Sequence, residues 1–310
     1  MSEHYLSAVP THSVWDRSIA PRLSILPGDM VRMECLDASG GQVRPSDGST
    51  RMAEIDATVF HALTGPIWVD GAQPGDVLEV QVLEVAHKGW AWSSVLPGWG
   101  FLHERFREPY LFHWELEAEV TRSLAPAVIP LKPFCGVMGV ARAETGAFRT
   151  REPGPFGGNL DVRELSTGAT LYLPVMVDGA LFSCGDAHAA QGDGEVCLTG
   201  MECPSDVTLR FELHKGHHLS SPLLEAAARP GEDGPAWVVL EAGTNALETA
   251  RAATNRMVDL LVSRWGFEPV QAYVLCSVAM DLRFSQVVNV PVITVSASIQ
   301  KSVLPARRLF

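Results

Sequence analysis

From about residue 12 to residue 215 the sequence repeats one pattern, a short apolar or alternating run that ends at Gly, Pro, Asp or Asn. Many strand-length runs separated by turn residues are typical of β-sandwiches and barrels. The pattern therefore predicts a mainly β fold, sandwich-like or barrel-like. The segments expected to form strands include DMVRMECLDASGGQ, GDVLEVQVLEVAHKG, YLFHWELEAEVTRS, ATLYLPVMVDGALFSCGD, GEVCLTGMECP and SDVTLRFELHKG.

The pattern changes near residue 233, where TNALETARAATNRMVDLLVSRWGF has the apolar spacing of a helix. Thr244 or Asn245 is a suitable N-cap, and Gly266 is a suitable stop. We predict a mainly β domain with the active site over residues 1–220 and a smaller α+β domain over 221–310. The expected helix, over about 244–265, presents one apolar face formed by Leu247, Ala250, Ala253, Met257, Leu260, Leu261 and Trp265.

The chain of 310 residues is acidic, with 24 Lys and Arg against 36 Asp and Glu and a formal charge of −12. Its basic residues are scattered, so nucleic acid and anionic membranes are not expected partners. Its apolar runs are all shorter than the ~20 residues that span a bilayer, and its first residues do not resemble a signal peptide. The six cysteines form no CxxC pair, which indicates reduced thiols and predicts a cytoplasmic location.

The stretch GDAHAAQGDGE, from Gly185 to Glu195, concentrates charge among small residues. Asp186 and His188 could project together from a strand end, and a turn at Gly192–Gly194 could bring Glu195 back to them. Carboxylates and an imidazole in this arrangement suit Zn²⁺ or another divalent ion. The alternative is a glycine-rich loop whose acids face water.

Two further segments carry candidate residues. EPGPFGGNLDVREL places Asn159 and Asp161 two positions apart, just after the glycine pair Gly157-Gly158, although a simple glycine-rich turn would look the same. HALTGPIWVDG places His61 just before a Gly-Pro turn, and a lone histidine is more often structural than catalytic.

Cysteine chemistry is a separate possibility. Cys135 and Cys184 could be thiolate nucleophiles if a histidine lay beside them, although free cysteines are usually small buried apolar residues. The sequence has no GxSxG nucleophile elbow, so serine catalysis has little support.

Several segments, in order from about His12 to Lys301, resemble the acetamidase/formamidase family. GALFSCGDAHAAQGDGE is the most specific of them, and GGNLD lies just upstream. Two positions depart from the family pattern, because Ala62 and Arg142 stand where the family usually has proline. The other matching segments are HSVWDRSIAPRLSILPGD, HALTGPIWVDGAQPGDVLEVQVLEV, GPFGGNLDVREL and RFSQVVNVPVITVSASIQK.

The resemblance implies hydrolysis of the C–N bond of short linear amides, which gives a carboxylate and ammonia. It also implies a mostly β fold with a smaller α/β part, and a divalent ion, zinc or calcium, near GDAH. By position, the implied metal ligands are Asp186 and His188. Asn159, Asp161 and Glu195 are implied as further ligands or as neighbours of the ligands, and His61 matches a histidine that recurs in the family.

Amide hydrolysis needs a polarised carbonyl, an activated water and a protonated leaving amine. A metal held by Asp186 and His188 could supply the first two. We hypothesise that Glu195 or Asp161 is the base and that His61 also takes part in catalysis. Glycines in both segments would leave room for a small amide, and those expected to contact the substrate are Gly157, Gly158 and Gly185.

Flat β surfaces, together with the habit of the family, predict a homo-oligomer. Two alternatives to a metal-dependent amidase stay open at this point. One is a cysteine amidase with a structural metal. The other is a non-catalytic β-sandwich that binds a small amide or a metal, since a fold does not fix a function.

Overall fold

The computed structural model describes residues 1–228 and 234–307. In chain order, the first strands are β1 (Glu3–Leu6), β2 (Val14–Trp15), β3 (Leu23–Ile25), β4 (Met30–Cys35), β5 (Leu63–Val69), β6 (Val77–His87), β7 (Trp90–Val95), β8 (Tyr110–Glu115), β9 (Val120–Thr121) and β10 (Ile129–Pro130). The later strands are β11 (Phe134–Gly139), β12 (Phe148–Arg149), β13 (Gly157–Asn159), β14 (Thr170–Pro174), β15 (Phe182–His188), β16 (Ser205–His214), β17 (Leu223–Ala226), β18 (Ala236–Gly243), β19 (Met280–Gln286) and β20 (Ile293–Gln300). Helices α1 (Ala246–Trp265) and α2 (Pro269–Ala279) lie between β18 and β19.

A nine-stranded sheet forms the larger layer, in the order β1-β4-β16-β6-β14-β17-β18-β20-β19. Its central strands have alternating burial, so one face packs into the core. This alternation fixes the register, and buried Leu209 pairs with Val31 on one side and Val82 on the other. The sheet is continuous across the boundary between the two predicted domains, whose division stays a prediction.

A five-stranded sheet, in the order β13-β11-β15-β5-β3, forms the second layer. Strands β11 and β15 are buried along their whole length, as expected for strands covered on both faces. The two sheets pack face to face, and the rings of Phe182 and Phe211 meet across the interface with their centroids 5.2 Å apart. The predicted mainly β, sandwich-like fold is therefore confirmed.

Helix α1 packs on the C-terminal part of the nine-stranded sheet and occupies the place of the predicted helix. The side chain of Asn245 accepts hydrogen bonds from the backbone N–H groups of Leu247 and Glu248, so Asn245 rather than Thr244 is the N-cap. Gly266 ends the helix with a φ of 75°.

Two details of this region were predicted wrongly. Leu247 was expected on the buried face of α1, but it is 60% exposed, and Thr249 is buried in that first turn instead. Helix α2 was not predicted at all, because its apolar residues show no clear periodicity. Its start does carry a local signal, since Glu268 and Gln271 form a capping box around Pro269.

The segment GEVCLTGMECP was expected to form a strand and does not. Residues 194–204 form an irregular loop that makes only isolated bridges, such as that between Glu202 and Trp92. This loop folds back over the end of β15 and brings two carboxylates to the site described below. In the part of the chain that the structure describes, no helix is long and apolar enough to cross a membrane.

Candidate active site

The candidate site lies at one end of the five-stranded sheet, where β15 ends and β11 begins. His188, the last residue of β15, pairs with Phe134, the first residue of β11. Strand β5 begins beside them, since Leu63 pairs with Gly185. Because these strand ends are adjacent, side chains far apart in the sequence meet here.

His188 faces three carboxylates. Its Nε2 lies 3.1 Å from Glu202 Oε1, 3.6 Å from Asp186 Oδ1 and 3.9 Å from Glu195 Oε1. All four residues are buried. Carboxylates removed from water need a counter-charge or a metal, and one imidazole cannot neutralise three of them.

Three carboxylate residues of the site have left-handed backbone conformations. The φ angles are 49° for Asp161, 55° for Asp186 and 49° for Glu195. Such angles are uncommon outside glycine and cost about 1–2 kcal/mol each. Backbone strain of this kind tends to collect at functional sites.

Asp161 joins the group from the loop after β13. Its Oδ2 accepts a hydrogen bond of 2.5 Å from Asn289 Nδ2. When the amide of Asn159 is oriented so that its oxygen accepts from Asn289, its nitrogen donates to Asp186 Oδ2 at 3.1 Å and to Asp161 Oδ1 at 3.2 Å. In this orientation Asn159 donates to the carboxylates, and its predicted role as a metal ligand stays a prediction.

His61 reaches the same group from the segment before β5, with its Nε2 3.9 Å from Asp186 Oδ2. The hydroxyl of Thr150 donates to the carbonyl of Phe60, so it can only accept from His61 Nδ1, which lies 3.3 Å away. His61 Nδ1 therefore carries a hydrogen. Burial lowers the pKa of His61, so the neutral ring presents an Nε2 lone pair to the site.

The carboxyl groups titrate over a wide range. Burial and the charge of Asp186 raise the pKa of Asp161 to about 7. Burial, with the same charge, raises the pKa of Glu202 to about 8, and burial raises the pKa of Glu195 as well. Although burial opposes it, the two neighbouring histidines lower the pKa of Asp186. Groups that exchange protons near neutral pH can act as general acids and bases.

The three glycines expected to contact substrate lie where the protein packs closely. A Cβ on Gly157 would collide with the carbonyl of Met138. One on Gly158 would lie 2.8 Å from an aromatic ring, and one on Gly185 would lie 2.7 Å from a backbone carbonyl. Close packing thus explains why glycine is needed at all three positions, and their contact with substrate stays a prediction.

The sequence analysis missed several residues that shape the site. Glu202 approaches it from a loop that carries no recognisable motif, and Asn289 from a segment that resembles the family but in which this residue was not singled out. Gly136, in β11, also belongs to the site, because a Cβ there would lie 2.5 Å from Asp161 Oδ1 and 2.9 Å from Asp186 Oδ2. An isolated glycine within an apolar strand is a signal that could have identified Gly136.

A cavity of about 610 Å³ lies beside this group of carboxylates. Gln191 and Glu195 line it on the side of the site, and Trp114, Ile129 and Met201 are among its apolar residues. A concave apolar space with a few polar groups is the usual form of a small-molecule site. The cavity therefore offers a route for a ligand to the carboxylate of Glu195.

The two candidate nucleophilic cysteines are buried. The sulfur of Cys184 lies 4.0 Å from that of Cys35 and 3.7 Å from that of Met33. Within residues 1–228 and 234–307, no recorded hydrogen bond joins Cys135 or Cys184 to a histidine. A catalytic thiolate needs an electropositive and accessible setting, so the structure gives no support to a cysteine amidase.

The donor set suits a divalent ion. Asp161, Asp186 and His188 form one group of candidate ligands, and His188 with Glu195 and Glu202 forms a second. Within each group the ligand atoms lie within 4.8 Å of one another. His188 Nε2 and one oxygen each of Glu195 and Glu202 are buried, and no residue that the structure describes forms a hydrogen bond with them. Buried polar atoms of this kind call for a partner, and imidazole and carboxylate are ligands that zinc accepts.

Sequence comparison relates the chain to one family. The acetamidase/formamidase family profile matches residues 2–146 and 140–305. The acetamidase of Mycolicibacterium smegmatis is 28% identical in the aligned part, which covers 67% of this chain and 67% of that protein. The formamidase of Methylophilus methylotrophus is 28% identical in the aligned part, which covers 61% of this chain and 60% of that protein.

Structural comparison gives the same relation. The crystal structure of an acetamidase from Bacillus halodurans superposes with a TM-score of 0.89 and 31% sequence identity, covering 96% of this chain and 98% of that one. The fold and these relatives define the chain as a β-sandwich amide hydrolase. It belongs to the acetamidase/formamidase family.

Proposed function

We propose that the chain hydrolyses short linear amides, of the formamide or acetamide type, to a carboxylate and ammonia. The observation that carries this proposal is the buried carboxylate–imidazole group beside a cavity, a setting that can hold a metal and move protons. The names of the relatives support the choice of amide substrates.

We propose Asp186 and His188 as the principal ligands of a divalent ion, with Asp161 and Glu202 close enough to contribute. The imidazole nitrogen favours zinc over calcium, which takes oxygen ligands. When bound, such an ion would act as a Lewis acid toward the amide carbonyl and lower the pKa of water. Asn159, predicted as a further metal ligand or a neighbour of the ligands, is proposed here to orient Asp161 and Asp186 through hydrogen bonds.

Glu195 is the best-placed base. Glu195 lines the cavity, and its Oε2 is buried with no hydrogen-bond partner in the described part of the chain. As the water oxygen bonds to the carbonyl carbon, Glu195 takes one proton from the water. It then returns this proton to the amide nitrogen as the C–N bond breaks, and ammonia leaves. Burial raises the pKa of Glu195, which makes its carboxylate a stronger base toward water than an exposed glutamate is.

Asp161 is the other candidate base, since its pKa lies near neutrality. Its carboxylate is already bound by Asn289, which favours a role in orienting the site instead. His61 is proposed to accept a hydrogen bond at Nε2 from the substrate –NH₂ group. The neutral ring, held through Thr150, has its lone pair available for this contact.

The first experiment is ammonia release from formamide, acetamide and propionamide, using protein of known metal content before and after chelation. Release that disappears with the metal and returns when zinc is added back supports the proposal. Release that survives complete metal removal overturns the metal part of it. Absence of release with all three amides, from the zinc-loaded protein, overturns the substrate class.

Two variants separate the candidate bases. Glu195→Gln is expected to lower kcat about 10²- to 10⁴-fold, as loss of a general base does, while zinc stays bound. Asp161→Asn keeps the shape of the side chain and is expected to lower kcat less than Glu195→Gln does. A near-normal kcat in Glu195→Gln together with a large loss in Asp161→Asn would reverse the assignment.

We also propose that the chain forms a homo-oligomer through α2 and the edge strand β19. Helix α2 contains no charged residue, and its outward face exposes Val270, Tyr273, Val274 and Val278. An exposed apolar face without charge suits a second copy of itself better than a charged partner. Light scattering should give a multiple of 33.6 kDa, and Val274→Asp should shift it to the monomer mass.

We also propose a cytoplasmic location, because the cysteines are unpaired. All six are free thiols, including Cys35 and Cys184, whose sulfurs are only 4.0 Å apart. Unpaired cysteines are typical of a reducing compartment. Fractionation of cells that express the full-length protein tests this location.

A further inference from the structure

Gln191 lies in the loop that follows β15 and binds three separate parts of the site. Its Nε2 donates to the carbonyl of Asp161 at 2.8 Å and to the carbonyl of Ser285 at 3.1 Å. Its Oε1 lies 2.8 Å from Nδ1 of His188. One side-chain amide therefore joins the end of β15, the loop after β13 and the end of β19.

The orientation of this amide is fixed by its partners. Backbone carbonyls only accept hydrogen bonds, so the group that faces Asp161 and Ser285 must be the –NH₂ group of Gln191. The oxygen of Gln191 consequently faces His188. Since that oxygen can only accept, His188 Nδ1 must carry the hydrogen.

A neutral imidazole with a hydrogen on Nδ1 has its lone pair on Nε2. In His188 this nitrogen points at Glu202 Oε1 and Asp186 Oδ1, at 3.1 Å and 3.6 Å. Among the described residues it has no hydrogen-bond partner. When Nε2 carries no proton, as in a metal ligand, its lone pair and the carboxylates converge on the position where a cation would be held.

We propose that Gln191 is a positioning residue that fixes the tautomer of His188 and thereby makes Nε2 a metal ligand. Hydrogen bonds to the remote nitrogen of a ligating histidine orient its ring and raise its basicity. Gln191 also sets the distance between His188 and Asp161, because it binds both. The inference rests on the proposed metal site, but it can be tested without any amide substrate.

Two variants test it. Gln191→Met keeps the length of the side chain and removes both kinds of hydrogen bond. Gln191→Glu keeps an acceptor for His188 Nδ1 and loses the two donors. Gln81→Met is the matched control, since Gln81 is also half-buried but, among the described residues, its side chain bonds only to Glu79, in the nine-stranded sheet.

The first measurement is a two-bond ¹H–¹⁵N spectrum of metal-free protein labelled at histidine, which distinguishes both neutral tautomers and the imidazolium. In the wild type, the neutral form with hydrogen on Nε2 of His188 should be absent. In spectra taken at a pH where His188 is neutral, it should appear in Gln191→Met and stay absent in Gln191→Glu and Gln81→Met. Detection of that form in the wild type overturns the proposal.

The second measurement is zinc affinity by competition with a chelator. Gln191→Met should bind zinc about 10- to 100-fold more weakly, as loss of such a hydrogen bond usually causes, and Gln81→Met should match the wild type. Unchanged affinity in Gln191→Met, or an equal loss in Gln81→Met, overturns the proposal. A protein that meets these expectations but hydrolyses no amide would instead contradict the proposed function.

Discussion

At the scale of single residues, the carboxylates of the site stand on strained backbone conformations that hydrogen bonds hold in place. The left-handed backbones of Asp161, Asp186 and Glu195 would relax if nothing opposed them. The turn before Glu195 is tied to the end of β19, because Gly194 N donates to Ser285 O and Gly194 O accepts from Val287 N. Such ties fix the carboxylates before any ligand arrives, which is how binding and catalytic groups are preorganised.

Gly136 offers a direct test of this arrangement. The methyl group of Gly136→Ala would lie 2.5 Å from Asp161 Oδ1 and 2.9 Å from Asp186 Oδ2, so it must push the carboxylates apart. We expect zinc affinity to fall by at least about tenfold, by analogy with lost support of metal ligands. Isothermal titration of metal-free protein measures this change.

Gly48→Ala is the control for Gly136→Ala. A Cβ at Gly48 meets no atom within 4 Å, and its φ is −95°. Its zinc affinity should equal that of the wild type. Equal affinity in Gly136→Ala would show that the carboxylates are not confined as the structure indicates.

The sequence could predict the residues of the site only where they are close along the chain. Asp186, His188 and Glu195 lie within ten positions, so strand and turn geometry predicted that they could meet. Glu202 and Asn289 could not be predicted in this way. Their approach depends on how whole loops fold over β15 and β19, and long-range packing leaves no local pattern.

At the scale of elements, the sequence predicted the ends of helix α1 better than it predicted which of its side chains are buried. The N-cap and the stop of α1 follow from local hydrogen bonding and from glycine, and both were foreseen. Which side chains of the first turn are buried depends on where the sheet ends beneath it. This explains why Leu247 was misplaced and why buried Thr249, whose hydroxyl donates to Asn245 O, was overlooked.

The N-cap of α1 gives the second prediction. Asn245→Ala removes the acceptor of two backbone N–H groups and should lower the free energy of unfolding by about 1 kcal/mol. Thr244→Ala is the adjacent control, because Thr244 is exposed and its side chain makes no hydrogen bond to any residue that the structure describes. Urea denaturation of both variants should show a lower midpoint for Asn245→Ala only.

The docking of β1 gives the third prediction. Asp29 accepts hydrogen bonds from Ser2 N, His4 Nε2 and Leu26 N, and these lower its pKa from 3.8 to about 2. A lowered pKa means that the carboxylate stabilises the fold above about pH 4, and that this contribution disappears as the pH falls toward 2. The Asn side chain of Asp29→Asn cannot titrate. The urea midpoint of this variant should therefore be lower than that of the wild type at about pH 6, and the difference should shrink between pH 4 and 2. A deficit that does not change with pH would contradict this linkage.

At the scale of the whole molecule, the turn-bounded runs were enough to predict a β-sandwich but not its strand order. Strand β16, for example, is inserted between β4 and β6, far from both in sequence. One run, GEVCLTGMECP, has the composition of a strand but forms a loop. This loop supplies Glu195 and Glu202 to the site. The strand prediction was therefore wrong in a segment whose conformation serves the site.

The size of the cavity gives the last prediction. Its volume of about 610 Å³ is far larger than acetamide requires, and its apolar residues would favour an alkyl chain. We expect the wild type to accept hexanamide as well as the short amides, because the cavity has room for its alkyl chain. Ala190 lines the cavity two positions after His188, so Ala190→Phe should obstruct a long acyl chain before it affects a short one.

The expected result for Ala190→Phe is a fall of at least about tenfold in kcat/KM for hexanamide, the effect of losing room for one or two methylene groups. The value for formamide should change little, because formamide has no alkyl chain to place. Ala118→Phe adds the same ring at an exposed position and should leave both values unchanged. An equal fall for both amides in Ala190→Phe would mean that the ring disturbs His188 itself. A fall for neither would mean that the acyl chain takes a different path, since the cavity would then be narrowed without consequence.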